Sequence, residues 1–293
     1  MRLLLLALLC SCHLFAKAQV KPNRPKVLVV VAHPDDEAAM AVTIYKVTHE
    51  LNGIVDQAVI TNGEGGYKYS LLAEPIYGLQ LTDEKTGREH LPRIRKQELM
   101  NAGKIIGIRN HYFFDQKDAH YGLDEREPLD TTWSVSWVKS RLKDIISNNR
   151  YDYVLCLLPD SGTHAHHKAA SLLALRAVND VEAKPVIMAV SVSYKKDSVV
   201  RSFTQLKNYA NTHVTSGRPS FRVDRTATFG YNNKLNYKMI VNWEIAEHKS
   251  QGAMQAGMNE GDYENFWYFD INDPALFNST RAFIDRLNNT KPQ

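Results

Sequence analysis

The segment KVLVVVAHPDDEAAM, residues 26–40, decides how the rest of the chain is read. Residues 27–32 are an unbroken apolar run suited to a buried central strand. The run ends, without a turn glycine, in His33, Pro34, Asp35, Asp36 and Glu37. Burying one unpaired carboxylate costs several kcal/mol at least, and adjacent like charges raise the cost. A positive charge is therefore expected at the mouth of this strand.

Working outward, residues 36–51 read as a helix and 54–61 as a second strand. That strand leads into TNGEGGYKYS, whose three glycines permit close backbone approach. After an insertion, residues 93–106 have helical periodicity and stop near Gly107. HYFF at 111–114 suggests a third strand, and 133–147 a helix with Trp137, Leu142, Ile145 and Ile146 among its apolar positions. Residues 153–158 read as a strand with PDSGTHAHH at its end, followed by a helix over 168–180 and a strand over 185–192. The stretch 195–230 reads as irregular strands and loops. Residues 233–257 look helical, 266–269 read as a last strand, and 274–287 as a final helix. This alternation predicts a Rossmann-like α/β fold, a mostly parallel sheet with helices on both faces. In open α/β sheets ligands gather at the carboxyl ends of strands, which puts AHPDDE and HAHH on one edge.

The chain has 293 residues, is 44% apolar and 23% charged, and is long enough for one large core. Arg2, the apolar run 3–9 and Ala16-Lys17-Ala18 read as a secretory leader over 1–18, leaving 19–293 as a single domain. The apolar run is too short to span a bilayer, and Cys12 offers an alternative lipidation site. Export to the periplasm or the outside is the expectation. Loss of Arg2 and Lys17 lowers the formal charge from +4 to +2, which is no nucleic-acid footprint. Cys156 would then stand alone in an apolar run, as a small buried hydrophobe. Tyr67, Tyr69 and Tyr77 in the insertion read as packing residues.

Histidine and carboxylate one or two residues apart at a strand end can hold one ion from a tight turn. His33, Asp36 and one histidine of HAHH would form such a set. Asp35 would be left free to act as a base on water acidified by the ion. The ion would also offset the crowded acids.

Three further matches extend AHPDDE: His164-Ala165-His166-His167, His248-Lys249-Ser250-Gln251, and Arg95-Lys96-Gln97-Glu98 followed by Ala102 and Gly107. With TNGEGG, these motifs resemble the PIG-L/LmbE family of zinc-dependent N-deacetylases over about residues 26–254. The resemblance implies His33, Asp36 and His167 as ligands of Zn²⁺, or of another divalent ion, and Asp35 as general base. It implies His164 as the group that steadies the tetrahedral oxyanion or assists the leaving amine. Arg95 would contact substrate, with an ion pair to Glu98 as the alternative, and His248 would lie beside the site and orient it. One departure stands out, because the family commonly has an acid where this chain has His166. The implied substrate is a small N-acylated sugar or glycoconjugate, with no nucleic acid and no stable membrane insertion. The alternatives are a metal-dependent amidase of a non-sugar metabolite and a carbohydrate-binding protein with a vestigial site.

Overall fold

A computed structural model of the chain describes residues 24–197 and 201–292. The expected leader lies outside the described residues. Seven strands form one sheet: β1 (Lys26–Val31), β2 (Ile54–Thr61), β3 (Asn110–Gln116), β4 (Tyr153–Leu157), β5 (Val186–Ser193), β6 (Phe221–Asp224) and β9 (Tyr263–Tyr268). Their order is β3-β2-β1-β4-β5-β9-β6, and the first five are mutually parallel. β9 runs antiparallel to β5 and to β6. A separate hairpin joins β7 (Thr228–Phe229) and β8 (Leu235–Asn236).

The helices are α1 (Ala41–Tyr45), α2 (Glu74–Tyr77), α3 (Glu84–Ile106), α4 (Val135–Asn149), α5 (Ala165–Asn179), α6 (Lys238–Glu247), α7 (Gly252–Gln255) and α8 (Phe277–Asn289). The continuous apolar run of β1 follows from its place in the middle. Leu28 and Val30 enter the core shared with α4 and α5, while Val27, Val29 and Val31 enter the opposite core shared with α1 and α6. Each such fully buried side chain contributes about 1.5–3 kcal/mol relative to exposure. A strand buried on both faces has no use for alternation.

Several boundaries differ from expectation. Residues 36–50 are helical throughout but not regular, passing from a 3₁₀ segment through α1 to a π turn. The helix expected from residue 93 begins at Glu84, because the Asp83 side chain accepts from Thr86 N at 2.9 Å and the helix continues through Pro92. It ends, as expected, with Gly107 at φ 84°. The helix expected over 168–180 starts three residues earlier, so His166 and His167 ride on the first turn of α5 and His164 is its N-cap. The helix expected over 233–257 covers only α6 and α7 and is broken at His248–Gln251. There Ser250 N and Oγ both bond Glu98, at 2.9 and 2.6 Å, which turns the chain out of the helix. Trp137 is not a core position: it is half exposed, and Val138 faces inward instead. Cys156 is a buried free cysteine, and burial pushes its thiol up to about 12. No helix among the described residues is long and apolar enough to cross a membrane.

Candidate metal centre

The strand order reverses between β1 and β4, and ligands of open α/β sheets bind in the crevice at such a point. The turn after β1 carries His33 to Asp36, and the loop after β4 leads into the α5 turn carrying His164 to His167. A pocket of about 370 Å³ opens here, walled by His33, Asp35, Asp36, Arg95, His164 and His167. A larger recess of about 590 Å³ lies at the opposite, amino-terminal ends of β1, β4 and β5, lined by residues such as Pro25, Tyr153 and Val186. None of the His-carboxylate clusters among the described residues faces it, so the chemistry belongs to the smaller pocket.

Asp36 is fixed by the turn itself, its Oδ2 accepting from the backbone of Ala32 and His33 at 3.0 and 2.8 Å. Its Oδ1 lies 3.0 Å from His167 Nε2, and Oδ2 lies 3.5 Å from His33 Nδ1. The two ring nitrogens are 3.1 Å apart. Thr163 Oγ1, 3.2 Å from His167 Nδ1, can accept the hydrogen of that nitrogen and leave the Nε2 lone pair facing inward. His33 Nδ1 and His167 Nε2 then cannot both be satisfied by one hydrogen and also meet Asp36. Two imidazole nitrogens and a carboxylate converging on one point are the donor set of a Zn²⁺ site with open positions. The residues present thus fit a divalent ion.

The charges agree. Burial alone would push His33 down, but Asp118 and Asp36 hold it up at about 10. Asp36 is likewise buried, yet His167 and His33 pull its carboxyl well below the usual range. The carboxylates ask for positive charge, and a cation would meet that demand as a proton does.

Asp35 points its Oδ2 at Arg95 Nη2, 3.0 Å away, and makes no other side-chain hydrogen bond among the described residues. Arg95 is buried and does not pair with Glu98. Its guanidinium donates instead to Pro34 O at 3.3 Å and to Gly63 O. Gly63 has φ 71°, and a Cβ there would sit 2.1 Å from Arg95 Nη1, so the glycine is needed twice over. His164 stacks between His33 and Tyr121, with centroid distances of 5.1 and 4.9 Å. Its Nε2 lies 3.2 Å from His120 O. Burial, with His33 and His166 adding to it, pushes His164 down to about 3, so it is a neutral ring.

His248 is fully buried and does not line the pocket. Its Nε2 reaches Glu37 Oε1 at 2.9 Å and Glu244 Oε1 at 3.1 Å, and Gln57 Nε2 donates to the other Glu37 oxygen at 3.1 Å. The expected place beside the site is thus reached through Glu37, next in sequence to Asp36. Tyr69, read as a packing residue, is instead 58% exposed at the pocket rim. Tyr67 does pack, and Tyr77 donates to Glu98 at 2.7 Å.

Sequence reading missed Asp118 and Tyr121, and named Gln251 only as the end of the His248–Gln251 motif; all three stand in the pocket wall. Asp118 is buried, with Oδ1 3.1 Å from His166 Nδ1 and 3.7 Å from His33 Nε2. It follows β3, so the rule that singled out the ends of β1 and β4 would have found it at the end of β3.

The PIG-L family model, described as GlcNAc-PI de-N-acetylase, matches residues 28–178. A probable N-acetyl-alpha-D-glucosaminyl L-malate deacetylase 2 of Bacillus cereus is 27% identical over 176 residues, which are 59% of this chain and 71% of that protein. Among solved structures, the N,N'-diacetylchitobiose deacetylase of Pyrococcus horikoshii superposes with a TM-score of 0.52 at 19% identity, over 88% of this chain and 89% of its own. A 4-carboxy-2-hydroxymuconate hydratase of Pseudomonas putida superposes equally well, with a TM-score of 0.53 at 15% identity, over 85% of this chain and 97% of its own. These likenesses show the fold, and the fold hosts more than one reaction.

Proposed function

The chain belongs to the PIG-L family, and on that premise we propose that it is a metal-dependent hydrolase removing an N-acetyl or related N-acyl group from an amino sugar or glycoconjugate. The observation that carries this reading is the convergence of His33 Nδ1, Asp36 and His167 Nε2 beside Asp35 in one pocket. A divalent ion held by those three residues, zinc or another, would supply the positive charge that polarises an acyl oxygen and acidifies a nearby water. Asp35 keeps one oxygen on Arg95 and is the group placed to take a proton from that water. Arg95 acts on substrate through this carboxylate and as part of the pocket wall. Neutral His164 offers an N–H to the oxygen on which negative charge develops, once its Nε2 leaves His120 O. Named relatives that remove acetyl groups from glucosamine derivatives support the choice of substrate class. Acid and free amine are the products.

The same reading places the protein outside the cytoplasm, on the strength of the leader-like residues 1–18. N-terminal sequencing of material from the native host would show a start at Gln19; a start at lipidated Cys12 would refute that cleavage point, and an unprocessed start at Met1 would refute export itself. For the activity, N-acylated sugars and non-sugar amides assayed for amine release, with and without chelator, are the test. Release from the sugars alone, abolished by chelator, is expected. Turnover confined to non-sugar amides, or untouched by chelator, would overturn the reading.

A further inference from the structure

His166 stands where the family resemblance leads to an expected acid, and the structure surrounds it with an unexplained arrangement. His33 Nε2, His166 Nδ1 and Asp118 Oδ1 form a triangle with edges of 3.2, 3.1 and 3.7 Å. All three residues are buried.

A single hydrogen has to serve this whole triangle. If His166 Nδ1–H donates to Asp118 Oδ1 at 3.1 Å, His33 Nε2 can only share that same hydrogen from 3.2 Å, because Asp118 Oδ1 is beyond hydrogen-bond range of it at 3.7 Å. If His33 Nε2–H donates to His166 Nδ1, the lone pair of Asp118 Oδ1 opposes an occupied acceptor 3.1 Å away.

From this geometry we infer that the chain carries a second metal site, in which His33 Nε2, His166 Nδ1 and Asp118 Oδ1 bind a divalent transition ion and His33 bridges it to the first. The point equidistant from the three atoms lies about 2 Å from each, against ~2.0–2.2 Å for zinc bonds to imidazole nitrogen and carboxylate oxygen. Two nitrogens and one carboxylate select zinc, cobalt or nickel over magnesium or calcium. The donors are held in place from behind. Asp118 Oδ2 accepts from Gly65 N at 3.1 Å, and Asp118 N donates to Glu64 Oε1 at 3.0 Å. The Trp133 ring lies 5.1 Å from that of His166. Among the described residues His166 Nε2 has no hydrogen-bond partner, so when an ion takes the place of the Nδ1 hydrogen, Nε2 is free to carry the ring's one hydrogen, toward Glu127 Oε2 at 3.9 Å. The histidine that replaces an acid is what completes a two-nitrogen set. Bridging requires His33 to give up both ring hydrogens, which two flanking cations favour.

This inference rests on the first-site reading only through His33, and metal counting separates the two. The full chain, freed of metal, is titrated with Co²⁺ under visible absorption and with Zn²⁺ by elemental analysis at buffered free ion. Two ions per chain are expected, falling to one in both His166→Gln and Asp118→Asn. One ion in the wild-type chain at saturation overturns the second site and leaves the first standing. Two ions in both variants also overturn it, because the second ion would lie elsewhere. No ion at all removes both readings. Should a variant fail to fold, the wild-type count of one or two still decides.

Discussion

Asp36 and Glu37 are neighbours in sequence, yet they feed two clusters built from the same two kinds of group in inverse proportion, and of opposite character. Asp36 joins His33 and His167 at the pocket, whereas Glu37 joins His248 and Glu244 in full burial. In the buried cluster one imidazole hydrogen is shared between two carboxylates, and Gln57 covers a further oxygen. In the pocket cluster two nitrogens and an oxygen converge on one point that opens to the cavity. Composition and spacing do not separate a structural histidine from a ligand. Access does: His33, Asp36 and His167 line the pocket, whereas His248 and both glutamates are sealed from it.

The strongest way to break this comparison is to remove a pocket donor. His33→Ala, Asp36→Ala and His167→Ala should each drop metal content at the first site toward zero and turnover to background, since each removes one of three protein donors. Elemental analysis with an amine-release assay checks both. Full occupancy in all three would place the ion elsewhere and erase the distinction.

Next in size is Asp35→Asn, which keeps the shape of the side chain but cannot take a proton. A fall in kcat of ~10²–10⁴ with metal content near wild type is expected, the usual weight of a general base. Loss of metal would make Asp35 a ligand, and unchanged kcat would remove it from the chemistry.

How much of this was legible without coordinates follows from which forces act locally. β2 was read to the residue and β1 to within one, because a strand buried on both faces leaves an unmistakable apolar run. The edge carrying His33, Asp36, His164 and His167 was legible because parallel topology sends every strand end the same way. The start of α3 was not, since it hangs on the Asp83 cap and a proline that the helix tolerates. Nor was the break at His248, which depends on Glu98, 152 residues away from Ser250 in sequence. The Asp35–Arg95 pair was hidden for the same reason: its meaning is a contact across the fold, and no local period encodes it.

The buried cluster can be broken from its own side. His248→Ala should cost about 3–5 kcal/mol of stability, because two buried carboxylates lose their shared partner. Metal content measured well below the melting temperature should stay at the wild-type level. Urea unfolding beside elemental analysis makes the comparison. Loss of metal without loss of stability would show that His248 serves the pocket directly, and the two clusters would be one.

The finest distinction concerns the proton between the two buried glutamates. Burial pushes Glu244 up to about 8, and Glu37 beside it pushes the same way, so Glu244 is the carboxyl that carries a proton near neutrality. Its folded value lies above the unfolded one, so the folded state binds more protons between about 4.5 and about 8. Stability then falls as pH rises through that window and is largest at its acid end. Glu244→Gln imitates the protonated acid with an amide that does not titrate. The substitution should change stability at the acid end of the window by no more than about 1 kcal/mol, the scale of one hydrogen bond. It should also flatten the decline toward the alkaline end, leaving the variant the more stable chain there. Urea titrations at several pH values resolve the slope. An unchanged slope in Glu244→Gln would mean that Glu244 is ionised throughout, and a buried cluster with two full negative charges would then need a cation of its own.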